Sequence, residues 1–478
     1  MMSENGSKKV GLLGLVAIVF TSMVGSSVYN LPQNMAVHAG AAAVLIAWII
    51  TGLGMYYLAN TFKVLAENKP ELTAGIYSYA KAGFGQYMGF NSAWGYWISG
   101  ALGNVAFAIL LNDAIGYFYP PLLEHGIPTL LFSIVFIWGM SFIVTFGVSF
   151  ATKISGYSIF IVLTAIAVIL LVLLYYFDFS IFIKHFWGNE YHNGSLLNQI
   201  KSTMMITLWS FIGIEGAVVI SSRAKNSSDV GKATLIGLII ALVLYSLISL
   251  LSFGILEQPE LASLSTPSAG YLMAKASGEW ANTFVAISVI LSLLVSWLAW
   301  TVLVSQVPYD AAKDGVLPKI FTQENQHHSP VSSLIITALL MSVMMLVVIY
   351  ANNVYIAAVT IASVMILPPY ILSAAYLWEV SDLHEILADK PKERHKAVMI
   401  GILATFYGAW LLYSAGLSYL MMSSIFYSLG IPFYYRAQHE HFPDKKHVFS
   451  KYERILAIFI LTCSAISLIM LMEGKLVL

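Results

Sequence analysis

Thr21-Ser22-Met23-Val24-Gly25-Ser26-Ser27-Val28-Tyr29-Asn30-Leu31-Pro32 interrupts the first long apolar run of the chain with small and polar residues. A second interruption, Trp209-Ser210-Phe211-Ile212-Gly213-Ile214-Glu215-Gly216, puts two glycines and a carboxylate into the sixth run. Within a bilayer, non-helical backbone survives only where protein buries it or where it lines a cavity. Broken helices one and six, five spans apart, are the expected product of an inverted five-plus-five repeat, which holds its ligand at the repeat interface. The freed N–H groups of a half-helix suit a carboxylate. Close packing through small residues would explain either stretch alone, and explains the pair less well.

The rest of the chain supplies the membrane. Of 478 residues, 59% are hydrophobic and 10% charged, against roughly 25% charged in a soluble domain. Runs of about 20 apolar residues, the length of a spanning helix, lie near 11–38, 41–62, 86–118, 127–147, 153–176, 200–221, 232–256, 281–305, 331–351, 354–378, 397–415, 417–435 and 455–473. The expected fold class is an all-α polytopic membrane protein of about 13 transmembrane helices. With the N-terminus in the cytoplasm, all 24 Lys and Arg residues except Lys184, Lys201, Lys275 and Lys475 fall on the cytoplasmic side. That bias supports the orientation, in a cell inner membrane. The first apolar run is too long for a signal-peptide core and reads as a retained helix. The expected domains are a cytoplasmic N-terminus (1–10), a transporter core (11–380, with repeats over about 11–176 and 200–378) and additional C-terminal helices (381–478).

The motifs resemble the amino acid–polyamine–organocation superfamily, and within it the basic amino acid/polyamine antiporters. Gly25-Ser26-Ser27 resembles that family's G-S-G substrate loop. PELTAGIYSYAKAGFG (70–85) resembles its amphipathic cytoplasmic segment, and Trp300 through Asp314-Gly315-Val316-Leu317-Pro318 its helix eight and following loop. WSFIGIE (209–215) resembles the helix-six motif of arginine/agmatine exchangers, whereas LPQNMA (31–36) and GIEGAVVISSRAK (213–225) are closer to arginine/ornithine antiporters. The resemblance implies that Gly25, Ser26 and Ser27 hold a substrate carboxylate, and that Ile212 and the backbone at Trp209 and Gly213 accept from an α-amine. It makes Trp209 and Trp300 aromatic walls, and it places Ser99, Asn104 and Phe107 on the substrate face of helix three. Thr360 and Ser363 stand beside Ala362, where arginine/agmatine exchangers have a serine; Ala101 replaces a tryptophan.

Glu215 is the one carboxylate near mid-bilayer. An ionisable residue there costs at least ~2.5–3.5 kcal/mol and is a functional candidate, so it is expected to sense pH or to couple transport. A tryptophan face attracts a cation by ~0.5–2 kcal/mol. Asp113 reads as an ordinary residue near the outer end of its helix. The histidines His439, His441 and His447, with His327 and His328, read as solvated loops rather than metal ligands, Lys390 to Lys396 as a topological cluster that touches lipid headgroups, and Cys463 as a small core residue. No G-x-S-x-G, H-E-x-x-H or phosphate loop occurs, so neither catalysis nor a cofactor is expected. The expected partners are small amino acids and amines together with membrane lipid, without nucleic acid; the oligomeric state, a homodimer included, is left open. The leading function is exchange of a basic amino acid for its metabolic product, arginine/ornithine first, then arginine/agmatine or histidine/histamine. The alternative is proton-coupled uptake; those relatives carry a lysine inside helix five, which is absent after Lys153 here. A channel or receptor would not require two broken helices.

Overall fold

The sixth and first apolar runs do break where their glycines stand. In the computed structural model, described over residues 10–25, 27–72, 75–124, 126–184, 186–188, 194–348, 354–444 and 447–476, the first run is three pieces. Helix α1 (Leu12–Val24) ends at Gly25, a 3-10 turn covers Ser27–Tyr29, and α2 (Leu31–Ala36) restarts with Pro32 in its first turn, where a missing N–H costs nothing. The chain then runs through α3 (Ala41–Asn68), the short α4 (Ile76–Phe84), α5 (Gln86–Gly116), α6 (Ile127–Val144), α7 (Val148–Tyr175) and α8 (Phe179–Lys184). The sixth run is α9 (Leu196–Phe211), an extended Ile212, Gly213 at φ +111°, and the single turn α10 (Gly216–Val219).

Beyond it lie α11 (Ser227–Ser252), α12 (Gln258–Ala262), α13 (Ser268–Ser277), α14 (Trp280–Lys313), α15 (Val331–Val348), α16 (Val354–Met365), α17 (Leu367–Asp382), α18 (Pro391–Ala415), α19 (Leu417–His441) and α20 (Lys451–Met472). Among the described residues, eight helices are long and apolar enough to cross a membrane, and three more are apolar but shorter. Every expected run coincides with helix. Two differences have local causes. The run near 354–378 is divided at Ile366, because Pro368 and Pro369 follow and proline cannot continue the preceding turn's hydrogen bonding. Helix α19 continues past 435, so His439 and His441 are helical residues rather than loop residues; their ring nitrogens meet Tyr435 O and Leu317 O.

Helices α1, α11, α14 and α7 pack together, and α5 lies against α14 and α16. The start of α1 and the end of the sixth run are neighbours: Val10 N donates to Arg223 O at 2.8 Å and Lys225 N to Val10 O at 2.8 Å. The two broken segments are therefore antiparallel, with their breaks facing each other near mid-length.

Candidate functional site

Cutting a helix leaves up to four carbonyls without partners, and at the end of α1 neighbouring side chains take them. Ser296 Oγ donates to Thr21 O at 2.6 Å, Trp300 Nε1 to Ser22 O at 2.9 Å, and Tyr245 OH to Met23 O at 2.7 Å. The donors come from α14 and α11. Gly25 is required by this arrangement, since a Cβ there would fall 1.9 Å from Ser296 Oγ. Across the gap, Ser22 Oγ donates to Gly213 O at 3.0 Å. A Cβ on Gly213 would stand 2.8 Å from the Ser22 backbone carbon, in a conformation that side chains rarely adopt.

A narrow cleft with about 10 Å³ of water-sized free space lies between the two breaks, lined by Ser22, Met23, Ser99, Gly100, Gly103, Phe107, Trp209, Ile212 and Trp300. Five of the expected residues meet here: Ser99, Phe107, Trp209, Ile212 and Trp300. The Trp209 ring meets Phe107 edge-on at 6.3 Å, and Trp300 stacks on Tyr96 at 6.2 Å. Ser99 Oγ donates to Ala362 O at 2.7 Å, which ties α5 to α16. Among the described residues no charged side chain lines the wall, so a cation held here would meet aromatic faces and backbone dipoles.

The other expected residues among those described do not line this cleft. Gly25 is packed behind it on Ser296, and Gly213 on Ser22. Ser27 Oγ donates to Tyr245 OH at 3.3 Å. Asn104 is fully buried, with no hydrogen-bond partner for either amide atom among the described residues. Thr360 and Ser363 are buried in α16, where Ser363 Oγ donates to Val359 O at 2.8 Å. Ser26 lies outside the described residues. Ser22, Met23, Gly100 and Gly103 were not singled out from sequence as lining residues. A signal was present for two of them: positions 99, 100, 103 and 107 share one face of a 3.6-residue helix.

Glu215 lies directly behind the sixth-run break and is fully buried. Its Oε2 accepts from Gly213 N at 3.1 Å and from the Tyr370 hydroxyl on α17, with Tyr96 close by. Farther along, Arg223 Nη2 donates to Gln306 Oε1 at 3.0 Å, and Gln306 Nε2 donates to both oxygens of Asp310 at 2.9 Å. This polar layer joins the end of the sixth run to α14.

The amino acid permease family model matches residues 10–437. A putative amino-acid transporter of Clostridium perfringens is 41% identical over 479 residues, covering 98% of this chain and 99% of that protein. The arginine/agmatine antiporter of Chlamydia felis is 42% identical over 446 residues, covering 91% and 92%. That of Chlamydia trachomatis is 40% identical over 470 residues, covering 98% and 97%.

Proposed function

The chain belongs to the amino acid permease family, and from that premise we propose that it is an antiporter exchanging a basic amino acid for its metabolic product, by alternating access around two inverted five-helix repeats. The observation that carries this reading is the cavity between the breaks, walled by Trp209, Trp300 and Phe107 with no fixed cation to repel a guanidinium. The α-carboxylate would be held at the Gly25–Ser27 break and the α-amine at the Ile212–Gly213 backbone. The cationic end would lie against an aromatic face, worth ~0.5–2 kcal/mol.

The antiporters of Chlamydia felis and Chlamydia trachomatis carry arginine/agmatine in their names. Those names support agmatine over ornithine as the counter-substrate of this chain, and arginine/ornithine exchange follows as the next pair to test. Glu215 would set the pH response from behind the break. The basic-residue bias supports a cytoplasmic N-terminus in the inner membrane of the cell.

Purified protein in liposomes is expected to take up labelled arginine only when agmatine, ornithine or arginine is inside. Equal uptake into empty liposomes under a pH gradient would establish proton-coupled uptake instead. A panel of internal amines then ranks the exchange partners.

A further inference from the structure

The last helix, α20, packs on α19, and only 17% of its most apolar window is buried inside the protein. Its remaining surface therefore faces lipid. At its start an open groove of about 460 Å³ is lined by Phe449, Lys451, Glu453, Arg454, Ile455 and Ile458 among others. Lys451 and Arg454 stand three residues apart and so share a helix face. Neither side chain has an ion pair or hydrogen bond among the described residues. The carboxylate in the groove, Glu453, is already engaged. Its Oε2 accepts from Ser450 N at 2.8 Å and its Oε1 from Tyr87 N at 3.2 Å, at the start of α5. One helical turn towards the membrane centre the charge gives way to Ile455 and Ile458, each 57% exposed, and Tyr452 beside them is 81% exposed.

Two unpartnered cations directly above an exposed apolar wall match one ligand in both halves: an anion joined to acyl chains. We propose that this groove binds the headgroup of an anionic glycerophospholipid, its phosphate between Lys451 and Arg454 and its chains along Ile455 and Ile458. Long cationic side chains at a helix end reach the headgroup layer while their stems stay on apolar surface. The site also touches the transport core, because Glu453 binds Tyr87 N on α5, the helix that supplies Ser99, Gly100, Gly103 and Phe107 to the cavity. A lipid seated here would hold α20 against the start of that helix.

The test uses full-length protein in nanodiscs or detergent and is independent of the transported substrate. Native mass spectrometry counts retained phosphatidylglycerol against phosphatidylethanolamine, for the parent, for Lys451→Gln/Arg454→Gln and for a control of equal charge loss, Lys225→Gln/Lys232→Gln around the start of α11. Each cation near a membrane surface contributes about fivefold to anionic-lipid binding, so removing both is expected to lower phosphatidylglycerol retention by about thirtyfold, with the control close to the parent. Equal loss in the control, or no loss in the Lys451/Arg454 variant, would overturn the site. Displacement of the lipid by inorganic phosphate as effectively as by phosphatidylglycerol would overturn the lipid and leave a phosphate site. Photo-crosslinkable phosphatidylglycerol on the parent protein gives a second readout that needs no variant: labelling of the peptide holding Ile455 and Ile458 is expected, and labelling elsewhere only would sink the proposal.

Discussion

The two tryptophans of the cavity differ in one bond, and that bond makes a prediction. Trp300 Nε1 donates to Ser22 O at 2.9 Å, whereas Trp209 Nε1 is buried with no partner among the described residues. Trp300→Phe and Trp209→Phe each keep an aromatic face and lose similar volume, so the difference between them isolates the tethered N–H. Leaving Ser22 O unpaired inside the protein costs ~1–3 kcal/mol. For a chain of 478 residues, the typical unfolding entropy of ~2.1 cal/mol/K per residue means about 1 °C of melting temperature per kcal/mol. Trp300→Phe should therefore melt about 1–3 °C below Trp209→Phe, measured in one detergent without substrate. Substrate affinity by calorimetry should change little in either, because the π face remains. Leucine at either position should weaken binding of a cationic substrate about tenfold, corresponding to ~1.4 kcal/mol. Equal melting temperatures for the two phenylalanine variants would refute the assigned role of the Trp300 tether.

Three further outcomes follow from the same geometry. Tyr245→Phe removes the donor to Met23 O and should cost ~1–3 kcal/mol, read as a lower melting temperature that Tyr413→Phe, on the exposed face of α18, does not share. Gly213→Ala places a Cβ against Ser22 at φ +111°; strain of ~1–3 kcal/mol with overpacking of ~1–3 kcal/mol should deplete folded protein, while Gly139→Ala, which meets nothing within 4 Å, should be neutral or stabilising by up to ~1 kcal/mol. Glu215→Gln keeps hydrogen-bonding capacity without an ionisable group and should flatten the pH dependence of exchange; a profile parallel to that of the parent would remove Glu215 from the pH response.

Breaks one and six were legible in the sequence because two such stretches five spans apart fit an inverted repeat better than they fit close packing through small residues. The aromatic walls were legible through motif resemblance, and Trp209 and Trp300 do meet across one cavity. What sequence alone could not supply is which residues of each broken segment turn inward. Ser22 and Met23, just before Gly25, reach the cavity, whereas Gly25 packs on Ser296 and Ser27 bonds Tyr245. The reason is that Ser296, Trp300 and Tyr245, on helices distant in sequence, fix the rotation of the cut end. Asn104 missed the lining by one position: Gly103 holds the face, with Trp209 3.4 Å from where its Cβ would be. The division of the run near 354–378 was visible in Pro368-Pro369, a signal that length and hydropathy alone pass over.

The two breaks are stabilised by opposite chemistry. At the first, carbonyls are in surplus, and neutral donors from α11 and α14 bind them: a serine hydroxyl, an indole and a phenol. At the second, the surplus at Gly213 is an N–H, and its acceptor is a carboxylate that also takes the Tyr370 hydroxyl. The bond from Ser22 Oγ to Gly213 O then joins the breaks to each other. Neutral donors hold α1 to α11 and α14. Glu215 is the one carboxylate of the arrangement, and its partners lie on the sixth run and on α17, with Tyr96 of α5 close by. A change in its protonation therefore acts first on how the sixth run meets α17, and reaches α1 through the Ser22–Gly213 bond and the packing of α9 and α10 on α1.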